Sequence, residues 1–250
     1  LSDDDLYAQR MLREDVVDKV IKRDVLTLFK VRSPLLMEKL FLYLCMNSTE
    51  IFSATTAAKE LDNISPNTIE SYVDALVKSN LIYMAYPIAV GSKSVLKGRP
   101  KIYIADAAIR NAVLMVDDVL SDERELGLLI ETTVYKHLVS FYQGTGAQLG
   151  YYRKAKENQK EVDAVIELPQ HKILCEVKYK NNSHIPQTDG IVELCNDPKA
   201  GITDAFVITK QLEDFGVTRH ETSPKIYRIP AIAFLYLIGK EESDGMSGRL

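Results

Sequence analysis

The chain has 250 residues, 46% of them hydrophobic, and a formal net charge of −4. That length supports one large or two small cores, and the charge excludes a globally basic nucleic-acid binder, so any such contact is a local patch. Cys45, Cys175 and Cys195 form no CxxC pair, and the four histidines have no ligand spacing, which excludes a zinc site by pattern and reads the cysteines as reduced core residues.

No apolar run approaches the ~20 residues of a membrane helix. The run Ile229 to Ile238 is too short and carries Pro230. The chain opens on Leu1-Ser2-Asp3-Asp4-Asp5, without an initiator Met or a signal peptide, so a cytoplasmic fragment of something longer is expected.

Residues 6 to 30 place Leu12, Val16, Val20, Val25 and Leu28 at roughly helical spacing. Arg13, Glu14, Asp18, Lys22, Arg23 and Asp24 give the other face mixed charge, as on a solvated helix. Residues 1–32 are expected to form a helical linker.

Residues 33–118 read as a winged helix-turn-helix. Pro34 opens a helix through Leu36, Leu40, Leu44 and Cys45, and a second spans about Ala54 to Leu61. Ser65 as N-cap and Pro66 open a third, with Ile69, Val73, Leu76 and Val77 as its stripe and Asn80 as its stop. Leu81 to Val90 and Lys101 to Ile104 are strands around a polar loop, Gly91 to Pro100. In such a domain the third helix enters the major groove and the wing reaches the backbone. Candidate DNA contacts are Asn67 and Thr68 on the helix and Lys93, Lys97, Arg99 and Lys101 on the wing. Glu70 and Asp74 oppose phosphate, and docking of a protein is the other use of the fold.

Residues 119–250 form the last domain. Ser121 is expected to cap a helix whose stripe is Leu126, Ile130, Val134 and Leu138, with Glu131 bordering it. Strands are expected at Gln148 to Arg153, Glu161 to Leu168 and Ile173 to Lys178. A helix from Ile185 to Asn196, a strand from Ala205 to Thr209, a strand from Tyr227 to Pro230 and a helix from Ala231 to Ile238 complete the order. The fold class is α/β, α+β overall, with a mixed sheet.

Asp163, Glu176 and Lys178 stand inside two of these strands. A carboxylate within a buried strand is costly unless paired. Glu176 and Lys178 share a face by alternation. If the strands form a hairpin, Asp163 reaches the same face. Two converging carboxylates make a hard-oxygen site for Mg²⁺ or Mn²⁺, and a lysine beside them can orient water or offset phosphate charge. The bland alternative is a structural carboxylate–lysine pair at a sheet edge. Arg153 either meets phosphate or pairs with Glu161.

The αβββαβ order, with Asp163, then Glu176-Val177-Lys178 thirteen residues on (176 − 163), resembles the PD-(D/E)xK restriction-endonuclease-like fold. The resemblance implies Asp163 and Glu176 as metal ligands, Lys178 as the residue that activates water or stabilises the transition state, and Glu131 as an auxiliary ligand. The RecB-like branch has Gln followed four residues later by Tyr. Here Gln187 is followed by Ile191, a departure from that branch.

With Leu12-Arg13-Glu14-Asp15-Val16-Val17, the winged helix and Tyr152-Arg153, nearly the whole chain is similar to the carboxy-terminal region of prokaryotic AAA-type ATP-binding proteins. No GxxxxGK[ST] occurs, so ATP would bind only in a preceding ATPase domain of the same polypeptide. The resemblance implies a metal-dependent DNA endonuclease domain serving that ATPase. The alternative is a non-catalytic module that binds DNA or protein and regulates the ATPase.

Overall fold

A computed structural model describes residues 3–29, 31–90, 98–116, 118–154 and 160–247. It is an α+β protein in two units, Leu1–Met84 with Arg99–Asp122, and Ala85–Gly98 with Glu123–Leu250.

The first unit opens on α1 (Asp3–Arg13), a π-helical stretch Glu14–Val25 and α2 (Leu26–Leu28). The five-residue step from Val16 to Ile21 suits the wider turn of that stretch. Val16, Ile21 and Val25 are buried in one core with Leu40, Phe41, Ile69 and Leu76. The expected separate linker over 1–32 is therefore corrected: its apolar stripe completes the core of the helices that follow.

Helices α3 (Pro34–Met46), α4 (Ala54–Glu60) and α5 (Pro66–Lys78) begin where the sequence places them. The Leu36 N–H donates to the Ser33 hydroxyl at 3.3 Å, and Thr56 N–H to that of Ser53 at 3.3 Å. Ser65 precedes α5 but its side chain makes no capping bond, so Pro66 carries that start. Asn80, at φ 54°, turns the chain out of α5. Strands β1 (Ile82–Pro87) and β2 (Lys101–Ile104) follow. Thr49 N–H donates to Ile102 O at 2.7 Å and Phe52 N–H to Pro100 O at 2.8 Å, a short antiparallel pairing between α3 and α4. Helix, short strand, helix, helix, strand and strand is the winged-helix order. An unforeseen helix, α6 (Ala107–Leu114), starts at Asp106, whose carboxylate accepts from Ala108 N–H at 2.9 Å.

The second unit takes the end of β1, which the sequence reading leaves in the wing. Tyr86 and Pro87 pair in parallel with Gly150 and Tyr151 of β3 (Gln148–Arg153). A Cβ on Gly150 would fall 2.0 Å from the Tyr86 carbonyl oxygen, so this pairing requires glycine. The sheet continues through β4 (Glu161–Glu167), β5 (Lys172–Lys178), β6 (Asp204–Thr209), β8 (Ile226–Pro230) and β7 (Gly216–Val217), in that spatial order. The β3–β4 and β4–β5 pairs are antiparallel, and β5–β6 and β6–β8 are parallel.

Helix α7 (Glu123–Tyr142) packs against β5 and against α9 (Ala231–Ser247). Ser121 does not cap α7. Its hydroxyl donates to Asp118 O at 3.2 Å in the preceding turn. Helix α8 spans only Gly190–Asn196, shorter than the expected Ile185 to Asn196, because Asp189 caps it. Val165, Leu174 and Val207 share a core with Ile191 and Val192 of α8. Asp163, Glu176 and Lys178 fall on that α8-covered face by strand alternation. All three cysteines are free and buried. Among the described residues no helix is long and apolar enough to cross a membrane.

Candidate functional site

The antiparallel β4–β5 register puts Ala164 opposite Cys175, which leaves Asp163 and Glu176 side by side where the ladder opens. Backbone and carboxylates interlock there. Asp163 N–H donates to Glu176 Oε2 at 3.3 Å, and Val177 N–H donates to Asp163 Oδ2 at 2.8 Å. Lys178 Nζ donates to Glu176 Oε1. The hairpin condition is met, and Asp163, Glu176 and Lys178 meet at one place.

A fourth residue joins them, which the sequence reading missed. Asp189 Oδ2 lies 3.3 Å from Lys178 Nζ. Its Oδ1 accepts from Ile191 N–H at 3.4 Å, the N-cap bond of α8. The close seating of α8 depends on Gly190, where a Cβ would stand 2.7 Å from the Glu161 carbonyl oxygen. The signal was legible: an Asp-Gly pair three residues after Pro186 is a helix start, not a helix interior.

Two carboxylates, Glu176 and Asp189, thus pair with the Lys178 ammonium, and a third, Asp163, acts on it electrostatically. Glu176 is 5% exposed. Burial, then the neighbouring Asp163, raises its pKa well above the usual carboxylate range, and Lys178 offsets this only in part. Burial works against the Lys178 ammonium, but Glu176, Asp189 and Asp163 outweigh it, and its pKa is raised. The Lys178 shift follows from the surrounding negative charge, and the Glu176 shift follows first from burial and then from the Asp163 charge. The Cys175 thiol, buried behind the site and next to Asp163 and Glu176, is pushed up to about 12, so it stays protonated.

The donor set fits a hard, hydrated cation. Mg²⁺ needs only one or two carboxylates and keeps several waters. A carboxylate has about four lone-pair sites, so the hydrogen bonds on Asp163 and Glu176 leave acceptor capacity. Among the described residues no group of three or more His, Cys, Asp or Glu is placed to hold a metal ion. Glu131 is half-buried on α7 and is not gathered with Asp163 and Glu176 into such a group, so the role the resemblance implies for it, an auxiliary ligand acting through water, stays an expectation.

The nucleic-acid candidates separate. Lys93 and Lys97 lie outside the described residues. Arg99 and Asn67 are exposed, and Thr68 is half-buried. Lys101 is 4% exposed on β2, so its ammonium is withheld from a phosphate in solvent, a correction to the expected wing contact. On α5, Lys78 is held by Asp74 at 2.6 Å, and Glu70 is exposed beside them. Arg153 stands 3.9 Å from the Glu161 carboxylate, the pairing alternative named above.

No curated protein matches the chain. Among solved structures, the crystal structure of protein VC1899 from Vibrio cholerae is similar at 13% identity and a TM-score of 0.26, over 84% of this chain and 48% of that one. The chain spans about half the length of that solved protein. Family matches divide the chain near the boundary between its units. It carries two domains of unknown function, DUF8612 over residues 2–120 and DUF4143 over residues 126–231.

Proposed function

We propose that the second unit is a metal-dependent phosphodiesterase of the restriction-endonuclease-like class acting on DNA, in the carboxy-terminal part of an AAA-type ATPase. The observation that carries this reading is the meeting of Asp163, Glu176 and Lys178 on β4 and β5, with the ammonium paired to Glu176 and Asp189. Asp163 and Glu176 would hold Mg²⁺ or Mn²⁺. When bound, the cation supplies charge neutralisation and activation of water. The Lys178 ammonium stays charged beside the reacting phosphate and offsets the charge that grows there. Val177 N–H fixes the Asp163 carboxylate, and Asp163 N–H fixes that of Glu176, so the two ligands are oriented by backbone rather than by flexible side chains. The association with an ATPase rests on the family resemblance of the sequence.

The test is cleavage of supercoiled plasmid by the full chain with Mg²⁺ or Mn²⁺. Asp163→Ala and Lys178→Ala are each expected to lower the rate by at least about 10²-fold, the scale of losing a ligand or an electrostatic donor. Cleavage that survives both substitutions removes these residues from the chemistry.

A second reading has its own observation. The exposed side of α5 carries Glu70 and Asp74 against Lys78, and Lys101 is buried. That surface suits a protein partner better than a phosphate backbone. On this reading the first unit is a regulatory docking module for the ATPase. No DNA affinity even at low salt, and no plasmid cleavage, is the pattern it predicts.

A further inference from the structure

We propose that Asp189 is a positioning residue that takes Lys178 over from Glu176 when a divalent cation occupies the Asp163–Glu176 pair. This rests on the metal reading above. Lys178 Nζ now donates to Glu176 Oε1, an atom the cation would also seek. Ammonium and cation therefore compete for one carboxylate, and like charge drives the ammonium off once the cation is held. Lys178 cannot simply retreat into water, because its side chain is only 21% exposed. A second anion is already in reach, Asp189 Oδ2 at 3.3 Å. That carboxylate is itself 10% exposed and is held in place by its bond from Ile191 N–H. Gly190 lets the cap sit against the Glu161 backbone, which keeps Asp189 at this distance. The lysine thus changes partner and stays charged within the site.

The experiment is a double-mutant cycle on Mn²⁺ affinity, read by calorimetry on the full chain, with melting curves of each variant as a separate measure of folding. Asparagine caps helices as well as aspartate does, so a capping role alone predicts no change in affinity for Asp189→Asn. The proposal predicts about a tenfold loss, restored by Asp189→Glu. Lys178→Met, which removes the competing ammonium, is expected to tighten binding. In that background Asp189→Asn should change affinity by no more than about twofold. An equal loss in both backgrounds would make Asp189 an ordinary negative charge and overturn the proposal. Should Lys178→Met fail to fold, the Asn and Glu variants at position 189 still decide: no loss with Asn, or no recovery with Glu, overturns it. Absence of Mn²⁺ binding by the unaltered chain defeats the metal reading and this inference with it, whereas binding that Asp189→Asn leaves unchanged defeats this inference alone.

Discussion

Asp163→Asn is expected to raise the stability of the metal-free protein and to abolish its stabilisation by Mn²⁺. The amide oxygen keeps the bond from Val177 N–H, while the charge that crowds Glu176 is gone. Two unit charges about 4 Å apart at an effective dielectric near 20 interact by roughly 4 kcal/mol. Because the Lys178 ammonium and the backbone N–H bonds offset much of that, a net gain of about 1–2 kcal/mol is expected, the scale seen when functional strain is relieved. The pH dependence has a definite sign. Glu176 has a raised pKa in the folded state, so its favourable contribution is complete below the unfolded carboxyl pKa of about 4.3 and is lost as pH rises toward the folded value. Removing Asp163 lessens that loss. The melting-temperature gap between Asp163→Asn and the unaltered protein should therefore open as pH rises from about 4 to neutrality. Mn²⁺ reverses the order, since ligand at a hundred times its Kd stabilises the unaltered protein by about 2.7 kcal/mol. A variant less stable than the unaltered protein at every pH, without metal, would show that Asp163 is a structural partner rather than a strained ligand.

Gly190→Ala is expected to destabilise the protein by about 1–3 kcal/mol, as overpacking does. Alanine in a helix ordinarily gains up to about 1 kcal/mol over glycine, so the sign is informative. Here the added Cβ would meet the Glu161 carbonyl oxygen at 2.7 Å, and backbone cannot rotate away as a side chain can. The first turn of α8 must lift, and Asp189 lifts with it. Thermal melts give the stability change, and a weaker Mn²⁺ response in the same variant reports the displaced carboxylate. A neutral or stabilising alanine would mean that α8 is not seated as tightly as described.

The parts of the molecule legible in the sequence are those set by short-range rules. Pro34 and Pro66 mark helix starts because their missing N–H falls where none is needed, and both helices begin there. Alternation marks β4 and β5, and with the resemblance it singled out Asp163, Glu176 and Lys178. What escaped depends on contacts distant in the chain. Nothing local in Ala85 to Pro87 says that the end of β1 leaves the wing to lie beside β3, because the permissive residue is Gly150, more than sixty positions on. The stripe Val16, Ile21 and Val25 looks like a linker until the core it completes is known. Lys101 reads as a wing cation by composition, yet strand pairing buries it. Asp189 is the exception, since its helix-start signal is local, but the apolar run of Ile191, Val192 and Leu194 carries the expected helix back across it.

The central claim is that Asp163 and Glu176 together hold a divalent cation. Anomalous scattering from a crystal soaked in Mn²⁺ tests it most directly. The expected result is a peak within coordination distance of one oxygen from each carboxylate, with Lys178 drawn toward Asp189. A well-ordered site without such a peak, Lys178 still bonded to Glu176, would contradict it.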